Sequence, residues 1–237
     1  MLVNVLCAKC IGIDAVPVTV EVDIVQGIGI HLVGLADIAV KESLLRTITA
    51  LTALGFRIPG KKIVINLAPA DLHKSGSGYD LPIAVGIIAA SGQREFRDLE
   101  KYLIMGELGL DGAVRDIPGA LPVADFAQSR GMKGCILPLH SALEAVDFRE
   151  TQIYGVETMM DVLRILEGVE DCSDLLVWNS RSWKKEQRAR QRNKSCVEQE
   201  VMDFADIIGQ EGAKRGVEIA AAGSHNLLEL GSNYRQC

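Results

Sequence analysis

Serine and lysine side chains that could form a catalytic pair lie close together in residues 74–82, Lys-Ser-Gly-Ser-Gly-Tyr-Asp-Leu-Pro. A serine hydroxyl becomes a nucleophile when a neighbouring base, such as a lysine amine, takes its proton. Ser75 and Ser77 with Lys74 are therefore candidates for a Ser–Lys dyad. The same small residues also suit a tight turn from a strand into a helix, in which Asp80 caps the helix and Pro82 lies in its first turn. The spacing alone leaves both interpretations open.

A second segment, residues 55–62, matches the phosphate-binding loop pattern G-x4-G-K-[ST] except at its last position. Lys62 stands where the pattern requires the hydroxyl that binds magnesium. We also expect a helix before this segment and a strand after it, whereas a phosphate loop must open a helix whose first amides face the phosphate. The segment is therefore not expected to bind a nucleotide.

Metal ligands and redox cysteines are not indicated by the spacing of the histidines and cysteines. The four histidines, His31, His73, His140 and His225, show no spacing typical of a metal site. Cys7 and Cys10 have the C-x2-C spacing of zinc sites, but no second pair accompanies them. Residues three apart on a strand point to opposite faces, so we expect buried structural thiols rather than ligands.

Hydrophobic periodicity predicts the elements that would hold these residues. An alternating run at residues 15–25 predicts a strand, and so does the segment around Cys7. Residues 36–54 have helical spacing, with an apolar stripe of Leu44, Leu45, Ile48 and Leu51. The remaining predicted strands are residues 29–35, 62–67, 102–110, 134–137 and 152–156, and the remaining helices are residues 81–90, 120–129, 141–146 and 159–166.

This order of elements indicates a fold of the α+β class. Three opening strands followed by mixed helices and strands favour a two-layer domain over residues 1–167, without the regular βαβ alternation of a doubly wound sheet. Residues 168–202 are predicted to be a basic linker. Residues 203–237 offer one helix at 210–222 and one strand at 226–230, too little to bury a core, so we expect an incomplete second domain.

Charge is spread unevenly along the chain. Residues 181–194 contain seven basic residues and one acidic residue, in a protein whose formal net charge is −6. Clustered lysine and arginine side chains release counterions from nucleic-acid phosphates, so this stretch is a candidate for DNA contact. A solvated linker or exposed helix would have the same composition.

Length and composition exclude several classes. With 237 residues, 48% of them hydrophobic and 24% charged, the chain is typical of a soluble globular protein. Its longest nearly uncharged apolar run, near residues 81–91, is about half of the roughly 20 residues that a spanning helix needs. The first residues lack the basic stretch of a signal peptide. We therefore expect a cytoplasmic protein with no membrane partner.

Several motifs together resemble the magnesium-chelatase-like AAA+ proteins of the YifB/ComM family. They are Gly-Leu-Ala-Asp at residues 34–37, the run at residues 74–82, Gly-Glu-Leu-Gly-Leu-Asp-Gly at residues 106–112, and the segments 203–210 and 221–228. The resemblance implies a Lon-protease-like domain, with a ribosomal-protein-like fold, followed by the start of an AAA+ α/β module. It further implies a role in ATP-driven DNA remodelling or branch migration, and a hexameric ring in full-length relatives.

Residue by residue, the comparison with Lon-type peptidases predicts a domain without peptidase activity. The serine of those peptidases lies four residues after the lysine of the strand-to-helix loop, and that position is Gly78 here. Their catalytic lysine follows a turn glycine after the Gly-Glu strand, and that position is Leu121. The resemblance therefore implies no catalytic residues in this domain.

On the AAA+ side, the resemblance places Ile207, Ile208, Gly209 and Gln210 beside the adenine of ATP. The family continues after residues 226–228 into a phosphate loop that ends in Gly-Lys-Ser/Thr, whereas this chain reads Glu229 and then ends at Cys237. We therefore expect a truncation or a frameshift, with no ATP hydrolysis and no cofactor in this chain. ATP and magnesium are implied for full-length relatives.

Two alternatives remain open from the residues. The chain could be a divergent Ser–Lys hydrolase that uses Ser75 or Ser77 with Lys74. It could also be a stand-alone nucleic-acid-binding module that acts through residues 181–194.

Overall fold

A computed structural model describes residues 1–148, 150–180, 183–184, 207 and 209–227. The chain divides into two compact units between positions 188 and 189. In the described part of the chain, no helix is long and apolar enough to cross a membrane.

The first unit contains nine strands, five α-helices of six or more residues and three short 3-10 helices among its described residues. The strands are β1 (Val3–Ile11), β2 (Asp14–Val25), β3 (Ile30–Val33), β4 (Lys62–Ala68), β5 (Tyr102–Ile104), β6 (Glu107–Leu108), β7 (Val114–Arg115), β8 (Gly134–Pro138) and β9 (Gln152–Val156). The helices are α1 (Ile38–Ala53), α2 (Asp80–Ala90), α3 (Ala120–Ser129), α4 (Leu139–Glu144) and α5 (Met159–Glu167).

Seven strands form one mixed sheet in the order β3-β4-β2-β1-β5-β8-β9. The pairs β1–β2 and β2–β4 are antiparallel, whereas β3–β4, β1–β5, β5–β8 and β8–β9 are parallel. From β1 the chain first builds the sheet toward β3, and it later returns to add β5 on the other side of β1. The boundary between β1 and β5 is therefore the point at which the direction of strand addition reverses.

The predicted α+β class holds for the first half of the sheet and is corrected in the second half. There, β5, α3, β8, α4 and β9 alternate, and the strands are parallel. All residues of β5 and β8 are buried. Strands that are buried on both faces are typical of parallel sheets with crossover helices, so this half has more than the two predicted layers. In β4 burial instead alternates along the strand, as expected for a sheet with one covered face.

The predicted strand at residues 102–110 is broken into β5 and β6, which belong to different sheets. Gly106 lies at the break. Its N–H donates to the carbonyl oxygen of Gly78, and its carbonyl oxygen accepts from the N–H of Leu81. The main chain therefore leaves the large sheet because it bonds to the segment that opens α2.

Helix α2 forms the centre of the core, and all of its residues are buried. It contacts β1 and β2 as well as α1, which explains its uniformly apolar sequence. Gly86 allows the close approach to the sheet, because a Cβ at this position would lie 2.5 Å from Cγ2 of Val22.

The first compact unit extends into the segment predicted to be the start of the linker. Leu176 forms an isolated antiparallel bridge with Tyr154 of the edge strand β9. Val177 is fully buried, and Trp183 is 8% exposed in the same core. Residues after Glu167 therefore contribute to the core of this unit.

In the second unit, the described residues include one helix, α6 (Glu211–Gly223). This agrees with the predicted helix at residues 210–222. The strand predicted at residues 226–230 falls mostly outside the described residues.

Candidate functional site

A cleft of about 270 Å³ opens at the carboxyl ends of the parallel strands β1 and β5. Ligands of open α/β sheets bind outside the carboxyl ends of strands, at the point where the strand order reverses. The cleft has this location. Its lining residues are Ala8, Lys9, Cys10, the five residues from Ser75 to Tyr79, Met105, Ile117 and Pro118.

Main-chain hydrogen bonds fix the start of the loop that lines the cleft. The N–H of Lys74 donates to the carbonyl oxygen of Leu35 at 2.8 Å, and the N–H of Asp37 donates to that of Lys74 at 3.1 Å. Gly34 has a φ of +92°, and a Cβ there would lie 2.5 Å from the carbonyl oxygen of Leu67. The motifs at residues 34–37 and 74–82 are therefore in direct contact.

Asp80 joins α2 to two other elements and does not cap the helix as predicted. The N-cap is Tyr79, and Asp80 is the first helical residue. Its buried carboxylate accepts from Nε of Arg46 at 2.9 Å and from the N–H of Leu108 at 3.2 Å, and the hydroxyl of Ser43 donates to it as well. The carboxylate thus binds α1, α2 and β6 together.

The environment of Asp80 explains why part of the buried face of α1 is polar. Burial raises the pKa of Asp80, and the hydrogen bonds from Arg46 and Ser43 oppose this shift. Ser43 and Thr47 are fully buried, whereas Leu45 is 71% exposed. The apolar stripe predicted with Leu45 is wrong at that residue, because the helix turns its hydroxyl side chains toward the carboxylate.

The residues of the alternative Ser–Lys dyad do not form a hydrogen-bonded pair among the described residues. The Lys74 side chain is fully buried, and its Nζ donates to the carbonyl oxygen of Pro69. Burial lowers the pKa of Lys74. Ser75 is exposed and Ser77 is partly buried at the cleft. No hydrogen bond in the described part of the chain joins either hydroxyl to Lys74.

The positions that the Lon comparison assigned to the dyad lie on opposite sides of this region. Gly78 lines the cleft, and a Cβ there would lie 3.6 Å from Cγ2 of Ile117. Leu121 is 51% exposed near the start of α3. The loop of Gly78 and the segment before α3 therefore face each other across the cleft.

The cysteines of the described part are free thiols. Cys7 is fully buried, and its Sγ donates to the carbonyl oxygen of Val18. Cys10 lines the cleft, and its Sγ lies 3.4 Å from the carbonyl oxygen of Gly119. Burial raises the pKa of both thiols. The four histidines are exposed, and the described residues contain no cluster of His, Cys, Asp and Glu that could hold a metal ion.

The remaining sequence candidates lie away from the cleft or outside the described residues. Residues 55–62 follow α1 and lead into β4, which is the reverse of the order that a phosphate loop requires. In the second unit, Gln210 precedes α6, and Nζ of Lys214 donates to the carbonyl oxygen of Ile207 at 2.6 Å. Gly209 has a φ of +75°. Ile208 and most of the basic stretch 181–194 lie outside the described residues.

Sequence reasoning missed one wall of the cleft. Lys9, Ile117 and Pro118 belong to it and are part of no motif. Cys10 lies beside them, although its spacing from Cys7 was examined only for metal binding. The pairing of β1 with β5 brings these residues together, and that pairing is not visible in local periodicity.

Two family models match parts of this chain. The family model described as subunit ChlI of Mg-chelatase matches residues 20–141, and the one described as magnesium chelatase, subunit ChlI, matches residues 203–234. The chain is 39% identical over 222 residues to YifB of Salmonella typhimurium strain LT2, a protein described as uncharacterized. It is 39% identical over 224 residues to the competence protein ComM of Haemophilus influenzae strain Rd.

The chain belongs to the magnesium-chelatase-like family that includes YifB and ComM. Each of these two alignments covers 93% of this chain and 41% of the relative. An uncharacterized protein of Mycobacterium tuberculosis strain H37Rv is 33% identical over 221 residues. The chain thus spans about two fifths of the length of the curated relatives that it matches.

Proposed function

We propose that residues 1–167 are a non-catalytic Lon-like domain of a magnesium-chelatase-like AAA+ protein, whose function is ATP-driven DNA remodelling or branch migration. The proposal also assigns residues 168–202 to a basic segment that connects the two domains, and its first part, with Val177 and Trp183, packs in the core of the first unit. It assigns residues 203–237 to the start of the ATPase domain, and the protein to the cytoplasm. In a full-length protein we expect DNA as the substrate and a homo-oligomeric ring as the assembly.

The geometry at the cleft is the observation that carries the proposal. Gly78 occupies the place of a nucleophilic serine in the Lon comparison, so this position offers no hydroxyl. Lys74 is buried against the carbonyl oxygen of Pro69, so its amine is not positioned to take a proton from Ser75 or Ser77. A general base must lie within hydrogen-bond reach of the proton that it removes.

The proposed DNA role is supported by the similarity to ComM, a competence protein by name. We propose to replace the matching part of H. influenzae ComM with residues 1–224 of this chain and to measure natural transformation. The expected result is that the chimera restores transformation to a strain lacking ComM, and that Ser75→Ala with Ser77→Ala leaves this unchanged. Loss of transformation in a folded, stably expressed chimera would contradict the proposal.

The alternative of a Ser–Lys hydrolase rests on the unpaired hydroxyls of Ser75 and Ser77 at the cleft. A serine-reactive fluorophosphonate separates it from the proposal. We expect no labelling of the full chain above that of Ser77→Ala. Reproducible labelling or peptide cleavage that Ser77→Ala abolishes would establish the hydrolase instead.

ATP and magnesium belong to the proposal only for the full-length protein. Among the described residues, Ile207, Gly209 and Gln210 are exposed and no acidic cluster that could hold a metal ion is present. Ile207, Gly209 and Gln210 carry no carboxylate, so a magnesium site would take its ligands from elsewhere in the full-length protein. The stand-alone alternative, nucleic-acid binding through residues 181–194, would show an affinity that falls steeply with salt.

A further inference from the structure

The turn between α1 and β4 holds a basic side chain in solvent on a fixed main chain. Phe56 and Ile58 are half-buried and pack against the core, whereas Arg57 between them is exposed. The N–H of Arg57 donates to Oε1 of Gln93 at 2.8 Å, and its carbonyl oxygen accepts from Nε2 of Gln93 at 2.9 Å. These bonds attach the turn after α1 to the segment after α2, so the position of Arg57 is well defined.

The turn between β2 and β3 lies against the start of β4. Gly27 has a φ of +131°, and a Cβ there would lie 3.1 Å from Cβ of Lys62, so a glycine allows the close approach. The next residue, Ile28, is 88% exposed. The two turns therefore form one surface at the end of the sheet where β4 begins. We call this surface, residues 27–29 and 57–62, the basic turn.

Three cations of the basic turn have no anionic partner in the described part of the chain. Arg57 and Lys61 are exposed and Lys62 is half-buried. No ion pair or side-chain hydrogen bond among the described residues involves any of the three. The sequence places no acid close by, since residues 24–36 and 43–70 contain neither aspartate nor glutamate.

Other charged groups of the first unit are already engaged in ion pairs near this end of the sheet. Asp98 binds Nζ of Lys101 at 2.7 Å and Nζ of Lys133 at 3.3 Å. The carboxylate of Asp23, on the strand beside β4, binds the ammonium group of Met1 at 3.2 Å. The cations of the basic turn thus keep their charge available for a binding partner.

We propose that the basic turn binds the phosphate backbone of DNA. Arg57, Lys61 and Lys62 would contact phosphate oxygens, and the exposed side chain of Ile28 would lie against a deoxyribose or a base. Contacts of lysine and arginine with phosphates release counterions and need no particular base sequence. The segment that fails as a nucleotide-binding loop would thus still bind phosphate, through its side chains instead of the amides at the start of a helix.

A nucleic-acid backbone fits the basic turn better than a single phosphate or a lipid surface does. Three cations along an exposed turn suit a row of phosphates, which follow one another at roughly 3.4 Å along each strand of a duplex. Adsorption to lipid depends on a broad apolar face, and Ile28 is the only large apolar side chain of the basic turn that is exposed. The inference rests on the proposed role in DNA remodelling, which makes DNA the expected nucleic acid.

The test is the binding of a labelled DNA duplex of about 30 base pairs to the full chain, measured by fluorescence anisotropy from about 50 to 200 mM salt. The triple variant carries Arg57→Gln, Lys61→Gln and Lys62→Gln. We expect it to bind at least about tenfold more weakly at the lowest salt concentration. The plot of log K against log salt should become shallower by about 2–3, because three phosphate contacts are lost.

A matched control removes the same charge near the opposite end of the strands. It carries Lys9→Gln near the end of β1, Lys41→Gln in the first turns of α1, and Arg115→Gln in β7. We expect this variant to lose less than about threefold in affinity and to keep the salt dependence of the original chain. Circular dichroism reports whether each variant is folded.

A charge-retaining variant separates phosphate contact from a structural role of the turn. It carries Arg57→Lys, Lys61→Arg and Lys62→Arg, and we expect its affinity for DNA to stay within about threefold of that of the original chain.

Three results would overturn the inference. They are equal loss of affinity in the two triple glutamine variants, an unchanged salt dependence in the variant of the basic turn, and binding to phosphatidylglycerol vesicles without binding to DNA. Transformation by the ComM chimera tests the proposed function separately. A chimera that restores transformation while the basic turn makes no contribution to DNA binding would contradict this inference alone.

Discussion

Asp80 shows how much of this fold depends on one buried carboxylate. Arg46 on α1 and the N–H of Leu108 in β6 both donate to it. The side chain of Asp80 is fully buried, whereas Arg46 is 27% exposed. If the carboxylate is lost, Arg46 can partly regain water, but Ser43 and the N–H of Leu108 lose their acceptor inside the core.

We therefore expect Asp80→Ala to lower the free energy of unfolding by about 2–4 kcal/mol, since removing one partner of a buried pair leaves the others unsatisfied. Urea denaturation followed by circular dichroism measures the change. Glu42→Gln is the matched control, because it removes an exposed carboxylate from α1, the helix that carries Ser43 and Arg46, and its effect should stay within about 0.5 kcal/mol. Equal stability of the two variants would show that the Asp80 carboxylate does not stabilise the packing of α1, α2 and β6.

For single residues, the sequence identified Asp80 as a structurally important residue but did not predict its hydrogen-bond partners. Asp80 was expected to cap α2, because an acidic residue before an apolar helix has that pattern. Its actual partners, Ser43 and Arg46, lie more than thirty residues earlier in the chain. Their spacing on α1 places them on one face, but only the packing of α1 on α2 brings that face to the carboxylate.

Helix α2 shows the same relation between sequence and packing at the scale of elements. Its apolar composition and its bounds follow from the sequence almost unchanged. The depth at which it lies depends on Gly86 and on Val22 of β2, whose contact distance no periodicity predicts. The break between β5 and β6 has a similar origin, because Gly106 bonds to the segment that opens α2.

We expect Gly86→Ala to destabilise the protein by about 1–3 kcal/mol, although alanine favours helices, because the added methyl group would overlap Val22. Thermal and urea unfolding measure the loss. Val22→Ala in the same chain should recover at least about 1 kcal/mol of it in a double-mutant cycle.

Gly216→Ala is the control for helix propensity, since Gly216 lies in α6 and no atom of the described residues lies within 4 Å of its Cβ position. It should not lower the helical content. A loss of stability as large as that of Gly86→Ala would point to a cause other than the contact with Val22.

For the whole molecule, the important feature is the segment that follows α5. Because residues 181–194 are strongly basic, the sequence predicted a linker that begins at residue 168. The structure instead places Val177 and Trp183 in the core of the first unit, and Leu176 covers part of the edge of β9. Such late additions to a core are hard to predict, because they consist of short 3-10 turns without a clear period.

A chain that ends at residue 168 should therefore be less stable than one that ends at residue 188. Burial of a large apolar side chain is worth about 1.5–3 kcal/mol, so for one valine and one tryptophan we expect a difference of about 3–6 kcal/mol. Urea denaturation of the two shortened chains, monitored by far-ultraviolet circular dichroism, measures it. If both chains unfold at the same urea concentration, residues 169–188 do not belong to the core.

The position of β1 in the sheet also determines when its two edges can be completed during folding. β1 is the first strand of the chain and the central strand of the seven. Its pairing with β2 needs only a hairpin, whereas its pairing with β5 must wait until Leu103 has been synthesised. Contacts between distant parts of a chain form slowly. A nascent chain can therefore assemble β1, β2, β4 and β3 early and keep one edge of β1 open until the second half of the sheet arrives.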